Sequence, residues 1–465
     1  MSEAERAPSR WKRLVLRGSL FELGGYVTTY GLRFVSSTIL RSLLFPAAFG
    51  VMEVVNGVMI GLIMLSDVGI QQAIIQSERG DERDFLDTAW TLHVIRGLGL
   101  WLVACLIAYP ASLLAGEPEL VELIPVASLG VLLLGFHTTA EFTLRRRMTL
   151  GRVILMEVLT QGITVTVTIG CAVVWPSVWA LVIGGLTSAT VRLLFSHYLA
   201  RLVGYRNRFH LHADSRKEIF EFGKWITASS AVFFAASWGD RLLMVSFLGA
   251  RVAGIYATAV LIAESVSAAL DKVIHGVFYP LFSRVGREGT DALRSVYYAT
   301  RLRFDAMTLT LTGGLAAMGP WVIGLLFDPR YATAGWMLRV LCVRAASMAI
   351  VAPAETCLTS LGHTRYGFYQ NVLRAAWILI GVPIGYVVGG AEGVVWVAAL
   401  SAIPPLFALW PKLRSLGILR LEREALAVLF FAAGYGVAYA LTLVLPEASE
   451  LRDAIKALLA PVRGG

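Results

Sequence analysis

The sequence predicts an all-α protein that crosses a membrane many times. Three observations carry this reading. Of 465 residues, 57% are hydrophobic and only 16% charged; the mean hydropathy is +0.68; and the apolar residues gather into runs of span length separated by short polar joints. About 20 apolar residues, rising about 1.5 Å each, cross the hydrocarbon layer as a helix. The runs lack the alternation of a barrel strand, so helices must satisfy the backbone inside lipid.

Taken in order, the first run is 19–41. It follows MSEAERAPSRWKRLVLR, which is too basic and polar for a cleavable signal, and it is broken by Glu22 and Arg33. We expect it to remain as an anchor. Five more runs complete a first group, at 48–76, 88–109, 121–142, 150–175 and 177–199. The basic stretch RLVGYRNRFHLHADSRK (201–217) then reads as a cytoplasmic linker. A second group of six occupies 218–247, 252–282, 302–327, 332–360, 367–388 and 391–411. A thirteenth run, 424–445, lies beyond it, and LRDAIKALLAP (451–461) is too short to cross and reads as an interfacial helix. The expected organisation is a basic N-terminus (1–17), a six-helix lobe (18–200), the linker (201–217), a second six-helix lobe (218–412) and a C-terminal extra span with its tail (413–465), for 12–14 spans in all.

Lys and Arg number 41 against 32 Asp and Glu, an excess that elsewhere suggests nucleic acid. Here it is arranged by side. Alternate joints hold Arg6, Arg10, Lys12, Arg13 and Arg17; Arg79 and Arg83; Arg145, Arg146, Arg147 and Arg152; the 201–224 cluster; Arg284 to Arg303; Arg365; and Lys412 to Arg423. Up to the last span the other set holds only Arg251 and Arg330, and its joint GEPELVE is acidic. The positive-inside rule therefore places the N-terminus in the cytoplasm, and no nucleic acid partner is expected.

Cys105, Cys171, Cys342 and Cys357 are scattered singly along the runs, with no CxxC spacing, so neither a metal site nor a disulfide framework is expected. No phosphate-cradling Gly-rich loop, HExxH or GxSxG is present, and the chain is read as neither an enzyme nor a cofactor protein. His93 and His137 are isolated on apolar runs and read as core residues.

Internal repetition is more informative. FGVMEVVNGVMIGLIMLSDVG (49–69) aligns with AGIYATAVLIAESVSAALDKV (253–273), pairing Gly50 with Gly254 and Asp67 with Asp271 at a constant offset of 204. AEFTL (140–144) aligns with AETCL (354–358) at an offset of 214, pairing Glu141 with Glu355. Both anchors lie six spans apart, which implies a duplicated six-helix unit. An even helix number keeps the halves in the same orientation, so their pseudo-twofold is expected along the membrane normal.

Several stretches, in order, resemble a known family: LSDVGIQQAIIQ (65–76), DRLLMVSFLGARVAGIYATA (240–259), VFYPLFSRV (277–285), GLLFDPRYATAGWMLRVL (324–341) and GGAEGVVWVAAL (389–400). They are similar to the polysaccharide transporters, the Wzx-like oligosaccharide flippases of the MATE/MOP superfamily, over roughly residues 15–412. Two departures are Asp328, where the family more often has Gly, and the absence of a fourteenth span. The resemblance implies a bacterial inner-membrane protein that flips a polyprenyl-diphosphate-linked sugar unit by alternating access, with cargo bound between the lobes. Capsule, O-antigen or exopolysaccharide synthesis would be its setting, and proteins of polysaccharide synthesis and polymerisation its partners. A multidrug exporter on the same scaffold and an integral-membrane polymerase or ligase are the alternatives; the first should have an acidic interior, and the second a long external loop.

The intramembrane charges themselves point to an anionic cargo. Arginine at a helix centre costs about 2.5–3.5 kcal/mol on insertion scales and normally faces a bundle interior or a wet cavity. Nine basic residues fall in or beside the runs: Arg33, Arg41, Arg96, Arg192, Arg241, Lys272, Arg339, Arg344 and Arg374. Tyr26, Tyr30, Arg33, Ser37 and Arg41 lie on one helical face, a polar stripe that marks a cavity. Arg33, Arg241 and Lys272 are the expected clamp on a diphosphate, whose oxygens suit Arg forks and a Lys point charge; Arg41, Tyr26 and Tyr30 complete the expected cavity. Asp67, Asp240, Asp271 and His275 are the candidates for ion coupling or gating, and for Asp67 and Asp271 capping near helix ends is the competing role. For Asp240 and Arg241 the competing role is neutralisation by partners on neighbouring helices.

Overall fold

The computed structural model describes residues 24–459 except 68, 147–149 and 288. Its described residues form helices and short joints. Helix α1 covers residues 24–43, α2 Pro46–Leu65, α3 Ile70–Gln76, α4 Arg83–Ala115, α5 Leu120–Gly135, α6 Ala140–Arg146, α7 Leu150–Val174 and α8 Val178–Val203. Then follow α9 Ala213–Val273, a π-helical turn Ile274–Phe278, α10 Tyr279–Gly286, α11 Thr290–Leu326, α12 Ala334–Ser360, α13 Arg365–Leu400, α14 Leu406–Ser415, α15 Leu421–Thr442 and α16 Ala448–Leu459.

Nine of the described helices are long and apolar enough to span a membrane, ten when α5 and α6 count as one span bent by 57°. Two of the nine are each a pair of antiparallel spans. In α9, Tyr256 Oη donates to Asp240 Oδ2 at 2.6 Å, and Arg241 Nη2 reaches Glu264 Oε1. Along a straight helix these partners would stand about 24 and 35 Å apart at 1.5 Å per residue. The chain must therefore reverse between them, and it does so at Gly249, whose φ of 80° and ψ of 165° lie where only glycine is comfortable. In α13 the Trp377 indole donates to the Val397 carbonyl at 2.9 Å, 20 residues away, and the reversal is at Gly389 and Gly390. With the bent α5–α6 pair counted and both reversed pairs opened, the described residues hold twelve candidate spans.

Three boundaries differ from the hydropathy reading. The run 48–76 is divided, because Ser66 ends α2 and Gly69, at φ 63°, starts α3. The run 302–327 begins earlier, at Thr290. The run 391–411 is interrupted before α14, where Pro404 and Pro405 withhold backbone donors.

The helices group into two compact units that divide between Ala231 and Val232, inside α9. In the first, α4 packs on α5, α7 on α8, and α5 on α8. In the second, α11 packs on α12 and α15, around a core that includes Phe278, Phe282, Tyr297 and Phe304. The stretch expected as a linker is in part fastened down. Residues 205–212 run extended along the start of α4. The Arg208 amide donates to Asp87 Oδ1 (2.8 Å), the His210 amide to Thr91 Oγ1 and the His212 amide to Thr88 Oγ1 (both 3.0 Å). Asn207 Nδ2 donates to the Leu86 carbonyl and to Thr139 Oγ1.

Candidate functional site

Each unit encloses a polar cavity among its spanning helices. The first, about 290 Å³, is lined from α1 by Tyr26, Thr29, Tyr30 and Arg33, from the bent α5–α6 span by His137 and Glu141, from α7 by Glu157, Thr160 and Gln161, and from α8 by Ser188 and Arg192. The second, about 700 Å³, is lined from the first limb of α9 by Phe233 and Ser237 and from its second limb by Glu264 and Ser267. Tyr279, Arg344, Glu355, Thr356, Thr359 and Arg374 complete it. Glu141 and Glu355, equivalent in the repeat, each line the cavity of their own unit. Thr29 and Arg33 likewise correspond, at the 204 offset, to Phe233 and Ser237. The duplicated sequence builds a cavity from corresponding helices in both halves.

Tyr26, Tyr30 and Arg33 share one cavity wall, as their helical spacing requires. The two tyrosine rings stack with centroids 5.6 Å apart. Arg33 is exposed and forms no ion pair among the described residues. The other charged residues lining this cavity are paired. Arg145 bridges Glu141 (3.1 Å) and Glu157 (2.7 Å), Arg192 lies 3.9 Å from Glu157, and His137 Nε2 is 3.5 Å from Glu141. Arg41, the last residue of the predicted stripe, is buried: it bonds to Ser37 and lies 4.5 Å over the Phe49 ring. It does not line the cavity.

In the second unit the adjacent Asp240 and Arg241 turn to different partners. Asp240, 2% exposed, accepts from Arg344 at 2.9 Å and from Tyr256 at 2.6 Å. Arg241 pairs with Glu264 and stacks 4.6 Å over the Trp238 ring, and Glu264 also faces Arg344 at 3.4 Å. Neither Asp240 nor Arg241 is part of the cavity lining. Arg344 and Arg374, left among the nine intramembrane basic residues, are the ones that line it. The Nε of Arg374 is shielded from solvent and has no hydrogen-bond partner among the described residues.

Asp67 accepts the Gly69 amide at 3.0 Å in the turn between α2 and α3. The side chains of Asp271, Lys272 and His275 lie outside the described residues. Glu141 and Glu355, singled out by the repeat, line the cavities together with Glu157 and Glu264. Counting basic residues along the spans left out Glu157 and Glu264, whose arginine partners lie on other helices or helix limbs.

A family model described as "Polysaccharide biosynthesis protein" matches residues 39–334, more than half of the chain. The chain belongs to this family. Similar proteins include the lipopolysaccharide biosynthesis protein WzxC of Escherichia coli K12, 26% identical over 372 residues and covering 79% of this chain and 74% of that one. The succinoglycan biosynthesis transport protein ExoT of Rhizobium meliloti is 23% identical over 394 residues, covering 83% and 78%. Among solved structures, an inward-facing multidrug resistance MATE transporter of the MOP superfamily superposes with a TM-score of 0.67 at 17% identity, covering 83% of this chain and 95% of that one. Lipid II flippase MurJ in an inward closed conformation superposes at 0.66 with 10% identity, covering 96% and 97%. The family and the MOP-type helical fold expected from the quoted stretches are thus both present.

Proposed function

We propose that this family member flips polyprenyl-diphosphate-linked oligosaccharide units across the bacterial inner membrane by alternating access, for exopolysaccharide, capsule or O-antigen synthesis. The observation that carries the reading is a cavity among membrane-spanning helices that holds an arginine, Arg33, with no ion pair among the described residues. A guanidinium there is costly in lipid and is stabilised by an anionic ligand. The relatives named for lipopolysaccharide and succinoglycan synthesis supply the cargo class. Arg33 takes phosphate oxygens, Tyr26 and Tyr30 offer stacked faces to a sugar, and the hydroxyls and carboxylates of the second cavity suit sugar hydroxyls. Arg374 is a second guanidinium lining that cavity beside Arg344. The basic joints place the N-terminus and the linker in the cytoplasm, where proteins of glycan assembly and polymerisation are the partners to seek.

The acidic lining favours one rival, a cation exporter on the same fold. Glu141 and Glu157 already pair with Arg145, and Glu264 with Arg241 and Arg344, which leaves less negative charge for a drug.

Cells lacking the gene should accumulate lipid-linked repeat units that are sheltered from a glycosidase added outside spheroplasts. Wild type should clear them, and Arg33→Gln, inserted at normal levels, should not. Units that accumulate yet are cut from outside would mean that flipping is intact. No accumulation at all would overturn the reading in favour of drug export.

A further inference from the structure

A third cavity, about 600 Å³, lies outside both polar cavities, where α4 begins and α8 ends. Four arginines line it: Arg83 from the first turn of α4, Arg201 from the last turn of α8, and Arg206 and Arg208 from the extended stretch between α8 and α9. None of the four forms an ion pair among the described residues. Asp84 and Asp87 also line the cavity, so two positive charges are in excess. Asp87 is already engaged, accepting both the Arg208 amide and the Tyr205 hydroxyl. Burial, reinforced by that hydrogen bond, raises the Tyr205 phenol above its ordinary range, so it stays a donor through the working pH range.

The stretch carrying Arg206 and Arg208 is not loose. Its backbone is pinned to Asp87, Thr91 and Thr88, and Asn207 is anchored on Leu86 and Thr139. This fixes two guanidinium stems beside Arg83, whose own guanidinium lies 6.0 Å from the Tyr205 ring centroid. Four exposed guanidiniums against two carboxylates give the cavity a net positive potential that draws an anion, and the two spanning-helix ends put that cavity at the membrane margin. Guanidinium forks match phosphate oxygens in pairs, and basic pockets between spanning helices on the cytoplasmic side hold phosphate head groups.

We propose that the cavity bounded by Arg83, Arg201, Arg206 and Arg208 is a binding site for a phosphate-bearing anion, separate from the cargo cavities. Two sources share that chemistry: the head group of an anionic phospholipid and a soluble diphosphate. The site does not depend on the transport reading.

The full chain, released from nanodiscs of mixed phosphatidylethanolamine and phosphatidylglycerol into native mass spectrometry, tests the lipid source. Titration of inorganic pyrophosphate into the detergent-solubilised protein by calorimetry tests the soluble one. Retained phosphatidylglycerol should fall roughly tenfold or more in Arg206→Gln/Arg208→Gln, as two lost charges near a membrane surface imply, with phosphatidylethanolamine unchanged. Pyrophosphate binding that is lost in the same variant, without a phosphatidylglycerol preference, would assign the site to a soluble diphosphate. Arg201→Gln, on α8 and outside the pinned stretch, carries the same test should the double variant fold poorly. Wild type and variants that bind both probes equally, or neither, would overturn the proposal.

Discussion

Asp240 and Arg241 show how little sequence adjacency says about partnership inside a helix, where neighbours point about 100° apart. Asp240 is held by Arg344 and Tyr256, and Arg241 by Glu264. Removing one member of a buried pair strands the other charge, typically at about 3–5 kcal/mol, whereas replacing both with apolar groups is often close to neutral. Arg344→Met should therefore lower the denaturation midpoint strongly in detergent. Asp240→Asn/Arg344→Met should recover much of that loss, and a double-mutant cycle that came out additive would show the pair to be uncoupled. The shared wall of Tyr26, Tyr30 and Arg33 on α1 was legible because a helix repeats on its own face, whereas Arg41 at the end of the stripe is buried away from it. The partners of Arg241 and Arg344 were not, since nothing local in the sequence records a contact across a bundle.

Among the elements, the span pattern could be read almost directly, because hydropathy over a span's length is a statement about solvent. The two sharp reversals were visible as brief polar interruptions, LGARVAG and VGGAEG, although only the structure shows that each is closed by glycine with no loop between the limbs. Gly249→Ala should cost about 1–3 kcal/mol, since a Cβ strains this backbone region. A thermal midpoint equal to wild type would mean that the turn relaxes to another conformation. Arg301 was misplaced by the same hydropathy reading. It counted among the basic joint residues, yet it is 1% exposed and makes two hydrogen bonds to Glu424 at 2.6 and 2.7 Å. Asp305 lies 3.0 Å from its Nε, close but not aligned as a hydrogen bond.

That ion pair sets an expectation for the whole molecule. Glu424 belongs to α15, the span outside the duplicated core, and α15 packs along α11. Truncation before Leu421 leaves Arg301 buried without its bidentate partner, so the shortened chain should lose stability and be degraded in cells. Adding Arg301→Met should restore part of the lost protein, as measured by membrane-fraction immunoblot. Equal loss with and without the second change would show that α15 matters for its apolar surface alone. Both halves of the chain place a polar cavity among their helices, and α15 gives the second half an anchor outside the repeat.

The reversal at Gly249 also has a consequence during synthesis. Since the two limbs of α9 share a single residue as their turn, the ribosome delivers Glu264 and Tyr256 soon after Asp240 and Arg241. The limbs can leave the insertion channel as a pair, with Arg241 already opposite Glu264. Asp240 then has Tyr256 but must wait for Arg344, which is made about a hundred residues later. For that interval the half-made protein carries a carboxylate without its cation among apolar helices. The completed chain removes that charge imbalance only when α12 docks, so the Asp240–Arg344 pair closes late in the order of translation.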